Sequence, residues 1–398
     1  MKTNDLSQIS SRARRYDLDW LRVIAFAILI FYHVGMFFNP WEWHIKNNEL
    51  SSSIKWPMQF SSQWRMSLLF MISGAGVYFA QFSRTPKAFL NERFIRIFIP
   101  LVFGIFVIVP PQIFFERLTQ GETYSYAQFY KTVFQFQPYP KGNFSWHHLW
   151  YLVYIFFYSL LALPLLQLLR RRKDISNKLA KLFANPLALI AIPVIWHVLG
   201  SVFLSQQFPT THNLVKDWNE HFHDITLFVT GFIFCTNVSF WETMKRFRRL
   251  TLGIWLTLTA ILYGVYWIPD IDLNDWQWLI YNTIKTTNAW CILLSLFGYA
   301  YVYLQFSNRF LTYANEAVYP FYILHQTVII VLAYPLIHSS LPITLKFSYL
   351  AVATFLVCLV LYHFLIKRFN PLRLVFGLKP LETGKQQRLS EETISLKS

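Results

Sequence analysis

The sequence is poor in charge, in acidic residues and in cysteine. Of its 398 residues only 14% are charged, and Asp and Glu together number 20. Soluble globular domains carry about a quarter charged residues, whereas 55% of this chain is hydrophobic and glycine occurs only 13 times. An ordinary water-exposed globule is therefore excluded, and lipid is the solvent that such a composition requires. The three cysteines, Cys235, Cys291 and Cys358, each lie alone in an apolar run. Their isolation speaks against a disulfide framework and a zinc cluster, so they read as packing residues and no metal is expected. A secretory signal is missing too, because the first apolar run, 18–38, carries polar residues, lacks a small-residue cleavage pattern and leads into further runs. No internal repeat of the kind that builds transporters from inverted halves is visible.

Apolar runs are abundant instead. A helix needs about 20 such residues to cross a hydrocarbon core of roughly 30 Å. Uncharged stretches at 149–169, 250–268, 286–306 and 347–366 meet that length, and runs at 97–115 and 183–204 do so around prolines, which membrane helices tolerate when neighbours satisfy the freed carbonyls. More polar candidates lie at 18–38, 66–82, 225–240 and 312–337. The expected fold is all-α, a transmembrane bundle of about ten spans.

Lysine and arginine set its orientation. Basic segments recur at Arg12-Ala13-Arg14-Arg15, at Arg84 and Lys87, at Arg170-Arg171-Arg172-Lys173, at Lys245-Arg246-Phe247-Arg248-Arg249, at Arg309 and in the tail with Lys367, Arg368, Arg373 and Lys379. They fall on every second connection, which predicts that both termini are cytoplasmic. The net charge of +16 is thus a positive-inside signature and implies no nucleic-acid partner. The longest external connection, 116–146, is rich in tyrosine and phenylalanine and is expected to fold as a cap. The tail after Pro380 is polar and expected to be disordered.

Polar side chains inside such spans are expensive, which makes them candidates for chemistry. Arg22 and His33 stand eleven residues apart in the first span, within about 20° of three full helical turns, so they share a face and are separated by about 16 Å along the axis. Taken singly, Arg22 could snorkel to headgroups and His33 could bond a carbonyl; on one face they form a candidate pair. Arg93 and Arg96 lie three residues apart at the cytoplasmic entrance of the third span, two forks suited to phosphate, or alternatively two positive-inside residues beside lipid. His147 and His148 open the fourth span, where an interfacial role is the plain alternative. His325 lies about 20 Å into the ninth span, at a height comparable to His33, and these histidines above the arginines suggest a polar tunnel. His197, His221 and His223 read as core residues. Asp17 and Asp19 are placed to hold Arg22 by an ion pair, and Ser73-Gly74 reads as a site of close helix packing.

Several of these elements resemble the acyltransferase 3 superfamily of membrane-bound O-acyltransferases. Leu18-Asp19-Trp20-Leu21-Arg22 followed by His33 is similar to its Arg-x10-His signature, and Arg93-Phe94-Ile95-Arg96 to its Arg-x-x-Arg motif. Phe70-Met71-Ile72-Ser73-Gly74, His148-Leu149-Trp150-Tyr151-Leu152 and Tyr322-Ile323-Leu324-His325 resemble its second-span, fourth-span and late-span elements. Arg65-Met66 and the closing Phe376-Gly377-Leu378-Lys379-Pro380 are most similar to the branch that contains periplasmic glucan succinyltransferases, from which Tyr151, in place of phenylalanine, and Gln326, where a second histidine occurs, are departures.

The resemblance implies a transmembrane domain over 16–380 between a basic tail, 1–15, and a polar tail, 381–398. It implies an acyl-CoA donor, succinyl-CoA or acetyl-CoA, bound by Arg22, Arg93 and Arg96, with His33, His148 and His325 as catalytic residues acting on a hydroxyl of an extracytoplasmic glycan. His33 would act as general base or as nucleophile. A bacterial inner-membrane location follows from the same likeness. Intramembrane histidines and arginines also suit a proton-coupled transporter of an organic anion, and the residues alone leave that alternative open, as they do oligomeric state.

Overall fold

The computed structural model describes residues 14–82 and 85–381; apart from Arg14, Arg15 and Leu381, the two expected tails lie outside the described residues, as do Arg12 and Arg84. No strand occurs among the described residues. Ten long helical segments follow one another: Tyr16–Phe38, Arg65–Phe82, Pro86–Thr119, the bent pair His147–Leu161 and Leu163–Arg171, Pro186–Leu204, Trp218–Thr236, Val238–Trp267, Asp275–Tyr303, Arg309–Leu336 and Ile343–Ile366. Six are long and apolar enough to cross a membrane, or seven if the bent pair is one crossing. The other three, Arg65–Phe82, Trp218–Thr236 and Asp275–Tyr303, fall outside that set. The last of these begins eleven residues before the apolar run at 286–306, with Asp275, Gln277 and Lys285 in its early turns.

Two local features depart from the sequence pattern. The run at 149–169 is not one straight helix but bends by 54° at Ala162, because Pro164 in the first turn of the next helix cannot donate to the preceding turn. Four stretches, Phe94–Phe98, Gly104–Ile108, Leu262–Trp267 and Leu361–Ile366, are π-helical, a widening that hydropathy does not register.

The chain divides into two compact units, each assembled from separated stretches: Met1–Leu90 with Trp150–Asn315, and Asn91–Leu149 with Glu316–Ser398. In the first unit, Arg65–Phe82 and Trp218–Thr236 pack backbone to backbone. A Cβ on Gly74 would stand 1.7 Å from the Phe228 carbonyl oxygen, and one on Gly231 would stand 1.9 Å from that of Met71. These reciprocal glycines let two helices approach where van der Waals contact must replace the hydrophobic effect. Val238–Ile261 meets Asp275–Tyr303 in a similar way, with Gly298 against the Met244 carbonyl and the Thr259 hydroxyl donating to Asn288 Oδ1 at 3.0 Å. Cys291 and Cys358 are buried and unbonded to sulfur.

In the second unit the closing helix Asn370–Val375 is tied down by Arg373, which is 5% exposed. Its Nη2 donates to Glu316 Oε1 at 2.7 Å, and its other nitrogens donate to the Lys367 and Lys379 carbonyls. Tyr362 donates to the second Glu316 oxygen at 3.0 Å. Arg373 therefore belongs to a buried, fully hydrogen-bonded ion pair rather than to the basic tail that the sequence pattern placed it in. The expected cap is folded: Ser125 and Gln128 form a reciprocal capping box for the helix Tyr126–Val133, and Arg117 donates to Asn143 Oδ1 and to the Pro140 and Gly142 carbonyls.

Gly74→Val should destabilise the first unit by about 3 kcal/mol through overpacking, lowering the thermal unfolding midpoint in detergent. Gly76, whose added Cβ meets nothing within 4 Å, is the control: Gly76→Val should leave the midpoint nearly unchanged.

Candidate functional site

The first helix carries two of the expected residues. Tyr16–Phe38 runs unbroken through Arg22 and His33, so the spacing of about 16 Å along one face is retained. Arg22 Nη2 donates to Asp19 Oδ1 at 2.9 Å and also to Asn315 Oδ1. Only one of the two nearby aspartates does what the sequence suggested. Asp17 instead receives Arg15 at 2.5 Å, and the Arg15 guanidinium lies 3.7 Å above the Trp241 ring. Nε of Arg22 is buried with no hydrogen-bond partner.

Ser73 of the Ser-Gly element has a polar role beside the packing role of Gly74. Its hydroxyl lies 2.6 Å from the Tyr151 hydroxyl, which also donates to the Leu69 carbonyl at 3.2 Å. The tyrosine that departs from the expected phenylalanine thus has both its hydrogen and its oxygen satisfied, as a buried phenol requires.

The second unit holds the remaining candidates. Arg93 ends the helix Pro86–Arg93, and Arg96 lies inside the π segment Phe94–Phe98, so the pair straddles a change of helical pitch. The simple i, i+3 alignment of an α-helix does not apply there. Arg96 Nη1 lies 3.6 Å from Glu92 Oε1, and its backbone carbonyl accepts the Tyr319 hydroxyl at 3.0 Å. Gly377, with φ +67°, closes over this contact: a Cβ there would stand 2.4 Å from the Tyr319 ring and 2.7 Å from the Arg96 oxygen. The closing glycine element is thereby explained by a left-handed backbone in close approach.

His148 and His325 come together, with ring centroids 5.2 Å apart and planes at 87°. A carbonyl only accepts hydrogen bonds, so the partners assign the tautomers. His148 Nε2 faces the Ile323 carbonyl at 3.0 Å and carries the hydrogen, leaving Nδ1 to accept from Gln112 Nε2 at 3.3 Å. His325, wholly buried, has Nδ1 at 2.7 Å from the Tyr322 carbonyl. Its proton therefore sits on Nδ1, and Nε2 is the nitrogen able to take up a proton, the form required of a general base. Tyr322 donates in turn to the His148 carbonyl at 2.5 Å. His147, with φ +39°, occupies the left-handed turn that leads into His148, a strained backbone of the kind found where a neighbouring side chain must be aimed.

Gln112 is the centre of this cluster, and the sequence analysis passed over it. It is fully buried, donates to Thr327 Oγ1 at 2.7 Å and accepts from Gln326 Nε2 at 3.0 Å. Thr327 passes its hydrogen to the Ile108 carbonyl at 2.7 Å. The available signal was an amide at Pro110-Pro111-Gln112 in an otherwise apolar run; prolines drew the eye, and the polar side chain between them did not. Asn315 was missed for a different reason: only the fold brings it to Arg22.

Comparison with known proteins adds a family. The acyltransferase 3 family model, an acyltransferase domain, matches residues 15–363. Glucans biosynthesis protein C of Shigella dysenteriae serotype 1 (strain Sd197) is 27% identical over 192 residues, 47% of this chain and 47% of that protein. Proteins of the same name from Escherichia coli strain K12 and from Escherichia coli O1:K1 / APEC are 26% identical over the same share of each chain. The match spans about half the length of these relatives. No solved structure matches the chain.

Gln112→Leu should leave Thr327, Gln326 and His148 short of a partner. A loss of about 2–4 kcal/mol is expected for such a buried network, seen as a lower unfolding midpoint, whereas Gln120→Leu in the cap should change it little.

Proposed function

Because the chain belongs to the acyltransferase 3 family, we propose that it is a membrane acyltransferase that moves a succinyl or acetyl group from cytoplasmic acyl-CoA to a hydroxyl of an extracytoplasmic glycan. The observation that carries this reading is the acyltransferase-domain match over residues 15–363, which contains Arg22, His33, Arg93, Arg96, His148 and His325. The name of the relatives, glucans biosynthesis protein C, supports a glucan acceptor. Ten spans with cytoplasmic termini, in the bacterial inner membrane, form part of the proposal; the ten long helical segments and the alternation of basic segments support it.

In this reaction Arg93 and Arg96, with Arg22, bind the phosphates of the donor. His33 takes the proton from the acceptor hydroxyl, whose oxygen attacks the thioester carbonyl carbon. The carbon–sulfur bond then breaks, and the coenzyme A thiolate leaves with the proton held by the imidazolium. A variant of the same step has His33 carry the acyl group briefly on its own nitrogen. His325 and His148 serve the acceptor and the oxyanion, a role for which a fixed tautomer suits His325. Holding the rings by backbone carbonyls rather than by flexible side chains favours a preorganised geometry.

Radiolabelled succinyl- and acetyl-CoA, supplied to the purified protein in lipid with a periplasmic glucan, test the reading. Wild-type protein is expected to label the glucan from one of the donors. His33→Ala should lower the rate at least about a hundredfold, the range for loss of a general base. Arg93→Ala with Arg96→Ala should raise the donor KM more than it lowers kcat, as loss of ground-state binding does. No label from either donor, together with uptake of an organic anion into vesicles, would give the function to a transporter. Thiol labelling of single cysteines placed at position 3 and position 395 tests the topology: both should react only from the cytoplasmic side.

A further inference from the structure

Arg65 is a deeply buried cation in the first unit. It opens the helix Arg65–Phe82 and is only 4% exposed. Its guanidinium carbon lies 3.9 Å above the Tyr32 ring, yet Nε and Nη1 are buried with no hydrogen-bond partner, and no ion pair of Arg65 occurs among the described residues. The other buried arginines are answered differently: Arg22 by Asp19 and Asn315, Arg373 by Glu316. A cation–π contact offsets only part of the desolvation of a guanidinium, and a buried charge with unused donors is a site for an anion.

The location limits which anion. Tyr32 precedes His33, and their ring centroids are 5.6 Å apart, so the guanidinium lies no more than about 10 Å from the imidazole, the length of a four-carbon diacid with a hydrogen bond of about 3 Å at each end. Burial within the unit argues for a small carboxylate and against a lipid headgroup phosphate, which needs an opening to the bilayer surface. We propose that Arg65 receives the free carboxylate of a dicarboxylic acyl group and selects succinyl over acetyl. The proposal rests on the acyltransferase reading for its role in transfer, while the carboxylate site stands on the geometry of Arg65. A fork held over an aromatic face presents fixed donors to a planar carboxylate, and the neutral methyl of an acetyl group would leave them unpaired.

Two readouts on the full chain in lipid nanodiscs test it. The first is thermal unfolding with monomethyl succinate, dimethyl succinate or inorganic phosphate. The monoester should raise the wild-type midpoint and the diester should not, and Arg65→Gln should abolish the rise. An equal, Arg65-dependent rise with phosphate would overturn the assignment to a carboxylate, as would a rise that survives in R65Q. The second is the ratio of label transferred from succinyl-CoA to that from acetyl-CoA, which should fall about tenfold to a hundredfold in R65Q, the range for loss of a hydrogen bond to a charged group. A parallel fall with both donors would mean that Arg65 only supports the fold, and would sink the proposal. Should R65Q not fold, Arg65→Lys keeps the charge, loses the fork, and is read by the same ratio and midpoints. Wild-type protein that transfers neither group yet binds the monoester through Arg65 would end the transfer reading and leave the carboxylate site intact.

Discussion

A hydrocarbon surrounding offers no hydrogen-bond partner, and much of this fold follows from that lack. Any backbone group released from a helix must find its partner inside the protein. The third long helix, Pro86–Thr119, releases several, since two π segments interrupt it. Each freed carbonyl is answered by a hydroxyl from within its own unit: Arg96 by Tyr319, Phe106 by Tyr130, Ile108 by Thr327. The irregular backbone is thus the reason that tyrosine and threonine occur where the apolar pattern would place phenylalanine and valine. It also ties Thr327, and through it Gln112 and His148, to the π segment.

Rigidity of the histidine cluster comes from the same source. His148 and His325 are both oriented by main-chain carbonyls, those of Ile323 and Tyr322, and these belong to one helix, Arg309–Ala333. Pro320 inside that helix removes a backbone donor near Glu316, whose carboxylate meanwhile receives Arg373 and Tyr362. Ion pair and tautomer assignment are therefore supported by consecutive turns of one element. The first unit uses a different device, the glycine seam at Gly74 and Gly231, which brings backbones together without polar atoms.

Helical class, membrane character and the positions of the long helices were legible in the sequence, because apolar length and the absence of charge report directly on a lipid solvent. Ser73-Gly74 was legible as a packing element for the same reason: a small residue in a long apolar run has few other uses. What was not legible depends on contacts between distant stretches. Nothing near Arg373 in the sequence points to Glu316, 57 residues earlier, so a buried ion pair looked like one more basic residue near the membrane. Arg22 and Asn315 are 293 residues apart. The π segments escaped because they alter hydrogen bonding while leaving composition unchanged, and the bend at Ala162 escaped because hydropathy sums over a proline without noticing it.

The π segments have one more consequence. Each accommodates an extra residue in a helix that is otherwise α-helical on both sides, as an insertion would leave behind. Removing a single residue from 94–98 would let ordinary α-helical bonding resume, with no loss of apolar length. Every side chain beyond the deletion would then turn by about 100° about the axis, carrying Gln112 away from His148 and exposing Glu116 to whatever now faces the opposite side. The chain carries, in one surplus residue, the phase of everything that follows it.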